Sequence, residues 1–92
     1  MILYAEVECF LYEGLSLKSK RSVLKKLFAR LNNDFNVSLA ELDYQDLWQR
    51  TKIGVVTISS NKLHAEKVIQ QVLETIDAFT ELERTITTVE EL

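Results

Sequence analysis

Proline is absent from the 92 residues, and glycine occurs only at Gly14 and Gly54. No Gly-, Ser- or Pro-rich linker interrupts the chain, and no segment is repeated or of low complexity. A single domain over residues 1–92 is therefore expected. With two glycines there is no Gly-rich phosphate cradle, and no nucleophile elbow or dinucleotide fingerprint is present. The lone cysteine, Cys9, cannot form an internal disulfide, and with one histidine, His64, the chain lacks a Cys/His set for structural zinc. No apolar run approaches the roughly 18 residues that mark a membrane span. No basic-then-apolar leader opens the chain, so neither membrane insertion nor a signal peptide is expected. An apolar fraction of 47% with 27% charged residues excludes a wholly disordered chain. No cofactor or metal is expected.

What is present is a tight alternation of two periods. Residues 2–13 alternate, with Leu3, Ala5, Val7, Cys9 and Leu11 facing one way and Ile2, Tyr4, Glu6, Glu8, Phe10 and Tyr12 the other. Period two predicts a strand with one dry face, ended by Gly14. Ser16 is a candidate cap for a helix over residues 17–33, with Val23, Leu24, Leu27, Phe28, Leu31 and Phe35 on one stripe. Residues 36–42 predict a second strand, and residues 51–59 a third. Ile53, Val55, Val56 and Ile58 make the third apolar on both faces, the pattern of a central strand. Ser60 or Asn61 caps a second helix over 62–79. A last strand is predicted over 82–89, with Leu82 and Ile86 inward and Thr85 and Thr87 outward.

The order β-α-β-β-α-β predicts an α+β, ferredoxin-like sandwich. Right-handed crossovers put the first and third strands in the middle of a four-stranded antiparallel sheet with both helices on one face. The other face stays uncovered and carries Tyr4, Phe10 and Tyr12 among glutamates.

The net charge of −3 conceals a segregation. From Gly14 to Asn33 there is no acidic residue, while Lys18, Lys20, Arg21, Lys25, Lys26 and Arg30 give +6. The other 72 residues carry −9. Lys18, Lys20 and Arg21 fall in the first turn or so of the helix. The dipole is already positive there, and each cation is disfavoured by up to about 1 kcal/mol. An anion bound at that end offsets the cost. Two readings follow: an anion-binding surface, or a solvated helix face built from good helix formers.

The polar segment before the third strand is the second unusual feature. In one reading Asp43 caps a short turn with Asp46 at its third position, and Leu47 and Trp48 pack back onto the sheet. In the other, Trp48 is exposed among Gln45, Gln49 and Arg50 and anchors a partner or stacks on RNA. Asp43 and Asp46 also suggest a hard cation, but two carboxylates do not define a site. His64 lies in the first turn of the second helix with no residue placed to orient it for catalysis. Cys9 faces the core and reads as a small apolar residue.

Ser16-Leu17-Lys18-Ser19-Lys20-Arg21 resembles an S-L-K-x-K-R signature. Phe35-Asn36-Val37-Ser38, Ala40-Glu41 and Asp43-Tyr44-Gln45-Asp46-Leu47-Trp48-Gln49-Arg50 resemble a second block. Together they are similar to the YlxP-like family, small bacterial domains of unknown function, over nearly the whole chain. The resemblance implies a ferredoxin-like fold and a cytoplasmic bacterial protein. Members are often encoded beside translation initiation factor two and a ribosome-binding factor, which implies a translation or ribosome-assembly setting. Tyr44 stands where many relatives have His, which weakens an acid-base or metal role for the loop. Ser19 stands where many have Glu, which removes a capping acid from the basic helix end.

The expected function is a non-enzymatic binding module. It contacts ribosomal RNA or a ribosomal subunit through Lys18, Lys20, Arg21, Lys25, Lys26 and Arg30, with Asp43, Gln45, Asp46, Trp48, Gln49 and Arg50 as an adjoining loop. The alternative is a protein-interaction or homodimerisation module using Tyr4, Phe10 and Tyr12 on the open sheet face. A metal-dependent phosphoesterase built on Asp43 and Asp46 is the third reading.

Overall fold

Alternation of apolar and polar side chains makes β1 (Ile2–Leu11) the spine of the sheet. Leu3, Ala5, Val7, Cys9 and Leu11 are buried on one side, and Tyr4, Glu6, Glu8 and Phe10 face the other. The computed structural model describes residues 1–12 and 16–92. The expected strand end at Gly14 lies outside these. Helix α1 (Leu17–Asp34) begins at Ser16, whose Oγ accepts the Ser19 N–H at 3.1 Å. It ends at Phe35, which turns extended and donates its N–H to the Leu31 carbonyl at 3.0 Å.

Three more strands and a second helix complete the chain: β2 (Val37–Asp43), β3 (Arg50–Ile58), α2 (Lys62–Asp77) and β4 (Leu82–Glu91). Asn61 caps α2, its Oδ1 accepting the His64 N–H at 3.0 Å. The strand order is β2-β3-β1-β4, antiparallel throughout. This is the expected α+β, ferredoxin-like arrangement, with β1 and β3 central. Val23, Leu24, Leu27 and Leu31 of α1 join Ala65, Val68, Ile69, Val72, Leu73 and Ile76 of α2 in one cluster with the dry face of the sheet. Among the described residues no helix lies over the opposite face.

Two irregularities in register decide which side chains reach that open face. Val7 pairs with Thr87 but Cys9 with Arg84, so β4 holds one extra residue against β1. The bulge reverses the alternation, and Ile86, expected inward, is 58% exposed on the open side. A second bulge lies in β2 between Glu41 and Asp43. It brings Leu42 over Gly54, so close that a β-carbon on Gly54 would stand 2.8 Å from Leu42 Cδ1.

Element ends also differ from expectation. β1 stops at Leu11, where the Leu11 and Tyr12 amides leave the ladder for the Gln49 and Glu81 carbonyls. Helix α2 ends at Asp77, and Phe79 packs half-buried against the core beyond it.

Candidate functional site

Lys20 lies one turn into α1, on the same stripe as Leu24, Leu27 and Leu31, and is fully buried. Its ammonium has three donors, and each finds an oxygen. Nζ lies 2.6 Å from the Tyr44 carbonyl, 2.6 Å from the Leu47 carbonyl and 2.9 Å from Glu41 Oε2. The same Glu41 oxygen accepts the buried Thr51 hydroxyl at 2.6 Å. Lys20 is thus corrected from an anion-binding residue to an internal one, because none of its donors remains for a phosphate.

This contact joins the two features that stood apart in the sequence. It fastens the loop between β2 and β3 to the first turns of α1. The loop closes on itself as well. The Leu47 N–H donates to the Tyr44 carbonyl at 3.0 Å, so that oxygen serves two donors. Tyr44 adopts a left-handed backbone (φ 64°), a conformation costing a non-glycine residue about 1 kcal/mol or more. The Asp43 carboxylate accepts the Tyr44 N–H at 2.7 Å rather than reaching Asp46. The expected capping of Asp46 by Asp43 is therefore replaced by a bond to the adjacent amide.

Around this anchored turn, Gln45, Asp46 and Gln49 are exposed and Trp48 is half-buried. Leu47, expected against the sheet, is exposed, because its carbonyl is turned inward to Lys20. Arg50 points to the open face. It pairs with Glu8 at 3.0 Å and stacks on the Tyr44 ring at 4.0 Å, with the Phe10 ring 5.8 Å away.

The remaining helix cations reach solvent. Lys18, Arg21, Lys25, Lys26 and Arg30 are all exposed. Among the described residues, only Arg30 of these five has a carboxylate within reach, Asp34 at 3.8 Å. Three of the body's five cations are held more closely, while Lys62 lies 3.5 Å from Glu91 and Lys67 is exposed. Arg50 and Glu8, Lys52 and Glu6, and Arg84 and Asp77 are paired at 2.9 to 3.0 Å. The unneutralised positive charge is thereby concentrated on α1.

On the open sheet face, Lys52 and the Tyr4 hydroxyl both donate to Glu6, each at 2.9 Å. These bonds hold the Glu6 carboxyl below the usual carboxylate range, and the Glu6 partner raises the Lys52 ammonium. Beside them a shallow hollow of about 240 Å³ runs over Gly54, lined by Tyr4, Ala40, Leu42 and Val56 and by no charged residue. Phe10 is exposed on this face. Tyr12 is not part of it: it lies past the strand end and lines a polar hollow with Asp77, Leu82 and Arg84.

Burial pushes the Cys9 thiol up to about 12, so it stays protonated and unreactive at neutral pH. His64 is exposed, its backbone taken up by the Asn61 cap. Among the described residues no three His, Cys, Asp or Glu side chains gather to hold a metal ion. No helix of the described chain is long and apolar enough to cross a membrane. Besides Tyr12, the site residue that sequence reasoning misread is Lys20, with Glu41 and Thr51 behind it. Its spacing of four, seven and eleven residues from Leu24, Leu27 and Leu31 is the signal that places it on the buried side.

Among solved structures, the chain resembles the structural-genomics protein YJCS, with a TM-score of 0.69, 8% identity and coverage of 100% of this chain and 99% of that one. It also resembles a C-terminal segment of the alpha subunit of aIF2 from Pyrococcus abyssi, with a TM-score of 0.60 and 18% identity, over 99% of this chain and 51% of that one. At such identities the likeness is one of fold. In sequence, the chain is 52% identical over 90 residues to the uncharacterized protein YlxP of Bacillus subtilis (strain 168), covering 98% of each. The model of the protein family of unknown function DUF503 matches residues 2–89, and the chain belongs to that family, the YlxP-like group its two sequence blocks resemble.

Proposed function

We propose that the chain is a non-enzymatic binding module whose α1 holds the phosphate backbone of RNA, with ribosomal RNA or a ribosomal subunit as its target in the cytoplasm. One observation carries the reading. Among the described residues, Lys18, Arg21, Lys25 and Lys26 are exposed with no carboxylate within 4.0 Å, on a chain whose net charge is −3. Of these, Lys18 and Arg21 stand in the first turns, where cations beside a helix N-terminus favour an anionic partner. Phosphate contacts of this kind position a protein on RNA and carry little sequence information. The loop anchored by Lys20 borders the same helix end, and Gln45 and Gln49 extend the surface with neutral donors. The family's genomic setting beside translation factors supports the choice of RNA.

Co-sedimentation with ribosomal subunits at low and moderate salt tests the reading. Binding falls steeply with salt, and Lys18→Glu with Arg21→Glu abolishes it while thermal stability is kept. Binding that ignores both salt and charge reversal contradicts the reading.

A second reading rests on the uncharged hollow over Gly54, with Phe10, Ile58 and Ile86 exposed on the same sheet face. An apolar face of this kind fits a second copy of the chain. Light scattering over a hundredfold range of concentration then shows a dimer that Phe10→Asp and Ile86→Asp dissolve. A monomer throughout removes this reading.

A further inference from the structure

The exposed side of α1 is ordered, beyond being positive. Successive residues turn by about 100° around the helix axis. Lys18, Arg21 and Lys25 therefore fall in one row, and Lys26 and Arg30 in a second row roughly 130° away. Between them runs a lane formed by Ser22, Ala29 and Asn33, whose intervals of seven and four residues keep them in line. All eight of these residues are exposed. The buried stripe of Lys20, Val23, Leu24, Leu27 and Leu31 lies diametrically opposite the lane. The helix thus offers solvent a strip of short side chains with cations along both borders. No aromatic side chain stands in either row or in the lane.

Resting on the RNA reading above, we infer that α1 seats in the minor groove of double-helical RNA, with one cation row on each phosphate backbone. Single-stranded RNA is held chiefly by stacking its bases on aromatic rings, and the exposed side of α1 has none to offer. A double helix instead presents two lines of phosphate with a groove between them. The A-form minor groove is wide and shallow and is recognised through 2′-hydroxyls and the flanking phosphates. Short side chains in the lane let the helix backbone approach such a shallow floor. Ser22 and Asn33 reach the 2′-hydroxyls, while Ala29 leaves room. The B-form DNA major groove is about 8.5 Å deep, and reading its base edges calls for long side chains in the lane.

Fluorescence anisotropy with three labelled probes tests the inference: a 20-base-pair RNA duplex, an unstructured RNA strand of equal length, and a DNA duplex of matching sequence. The RNA duplex binds at least tenfold tighter than the strand or the DNA. Lys26→Glu with Arg30→Glu weakens duplex binding as much as Lys18→Glu with Arg21→Glu, since each row holds one backbone. Ala29→Trp blocks the lane and weakens the duplex at least tenfold with both rows intact, while circular dichroism confirms an unchanged fold. Equal affinity for duplex and strand, or loss confined to one row, overturns the groove seat and leaves the RNA-backbone reading standing. DNA bound as tightly as RNA overturns the minor-groove choice. Failure of every RNA probe to bind in a salt-dependent way overturns both.

Discussion

A single side chain accounts for how the two marked sequence blocks come together. Lys20 has no solvent exposure, and its ammonium bonds three oxygens contributed by β2 and by the loop that follows it. A buried charge is stable only when its donors are satisfied in this way. Replacing it with methionine keeps the stem and removes the charge. Glu41 is then left with Thr51 as its hydrogen-bond partner, the Tyr44 carbonyl keeps only the Leu47 N–H, and the Leu47 carbonyl loses its Lys20 donor. Lys20→Met is expected to cost about 3 kcal/mol, a fall in Tm of roughly 12 °C or more for a domain of this size. Arg21→Met, one residue on and exposed, changes stability by less than about 0.5 kcal/mol. Urea and thermal unfolding of the two variants measure the contrast. Equal stabilities would contradict the role given to Lys20.

At the level of elements, β1 and β3 carry their charges as cross-strand rungs. Glu8 lies opposite Lys52 in register, yet Lys52 bonds Glu6 and Arg50 bonds Glu8, so each bridge runs on the diagonal. The Glu6 carboxyl ionises more readily folded than unfolded, first because of Lys52 and then because of Tyr4. A depressed folded value gives stability that is present above the unfolded carboxyl's range, near pH 4.3, and lost as pH falls through the folded value. Unfolding free energy measured from pH 7 down to pH 3 therefore falls less steeply in Glu6→Gln than in the parent. An identical acid limb would show that the contact adds nothing.

Most elements were legible in the sequence because period alone identifies them. The alternation in β1 and the stripes of α1 and α2 each follow from one buried side. The two bulges were not legible. An extra residue in a strand leaves hydrophobicity unchanged and reverses its facing, which is why Ile86 emerged on the open side. The surface was legible as charge but not as contact. Lys20 counted as one of six cations, and only tertiary packing separates it from Lys18 and Arg21. The loop, too, was legible in composition alone, since the positive φ of Tyr44 and the bond from Lys20 to its carbonyl belong to the folded chain.

For the whole molecule, the balance of charge is uneven in space. Five exposed cations stand on α1, while Arg50, Lys52 and Arg84 of the sheet are each held in a close ion pair. On the proposed reading, a chain of negative net charge approaches RNA with that helix foremost, and the acids elsewhere disfavour other orientations. The open sheet face, with Glu6 and Glu8 already engaged by Lys52 and Arg50, remains free for a second copy without competing for the same surface.

The most direct measurement is the salt dependence of affinity for a ribosomal RNA helix, compared between the parent and a variant with Lys18, Arg21 and Lys25 each changed to Glu. If all five cations meet a phosphate, log affinity falls against log salt with a slope of about −4.5. The variant should then bind too weakly to yield a slope, while unfolding at the parent's temperature. A parent slope near zero, or a variant that binds as the parent does, would contradict the assignment of α1 as the RNA-binding surface.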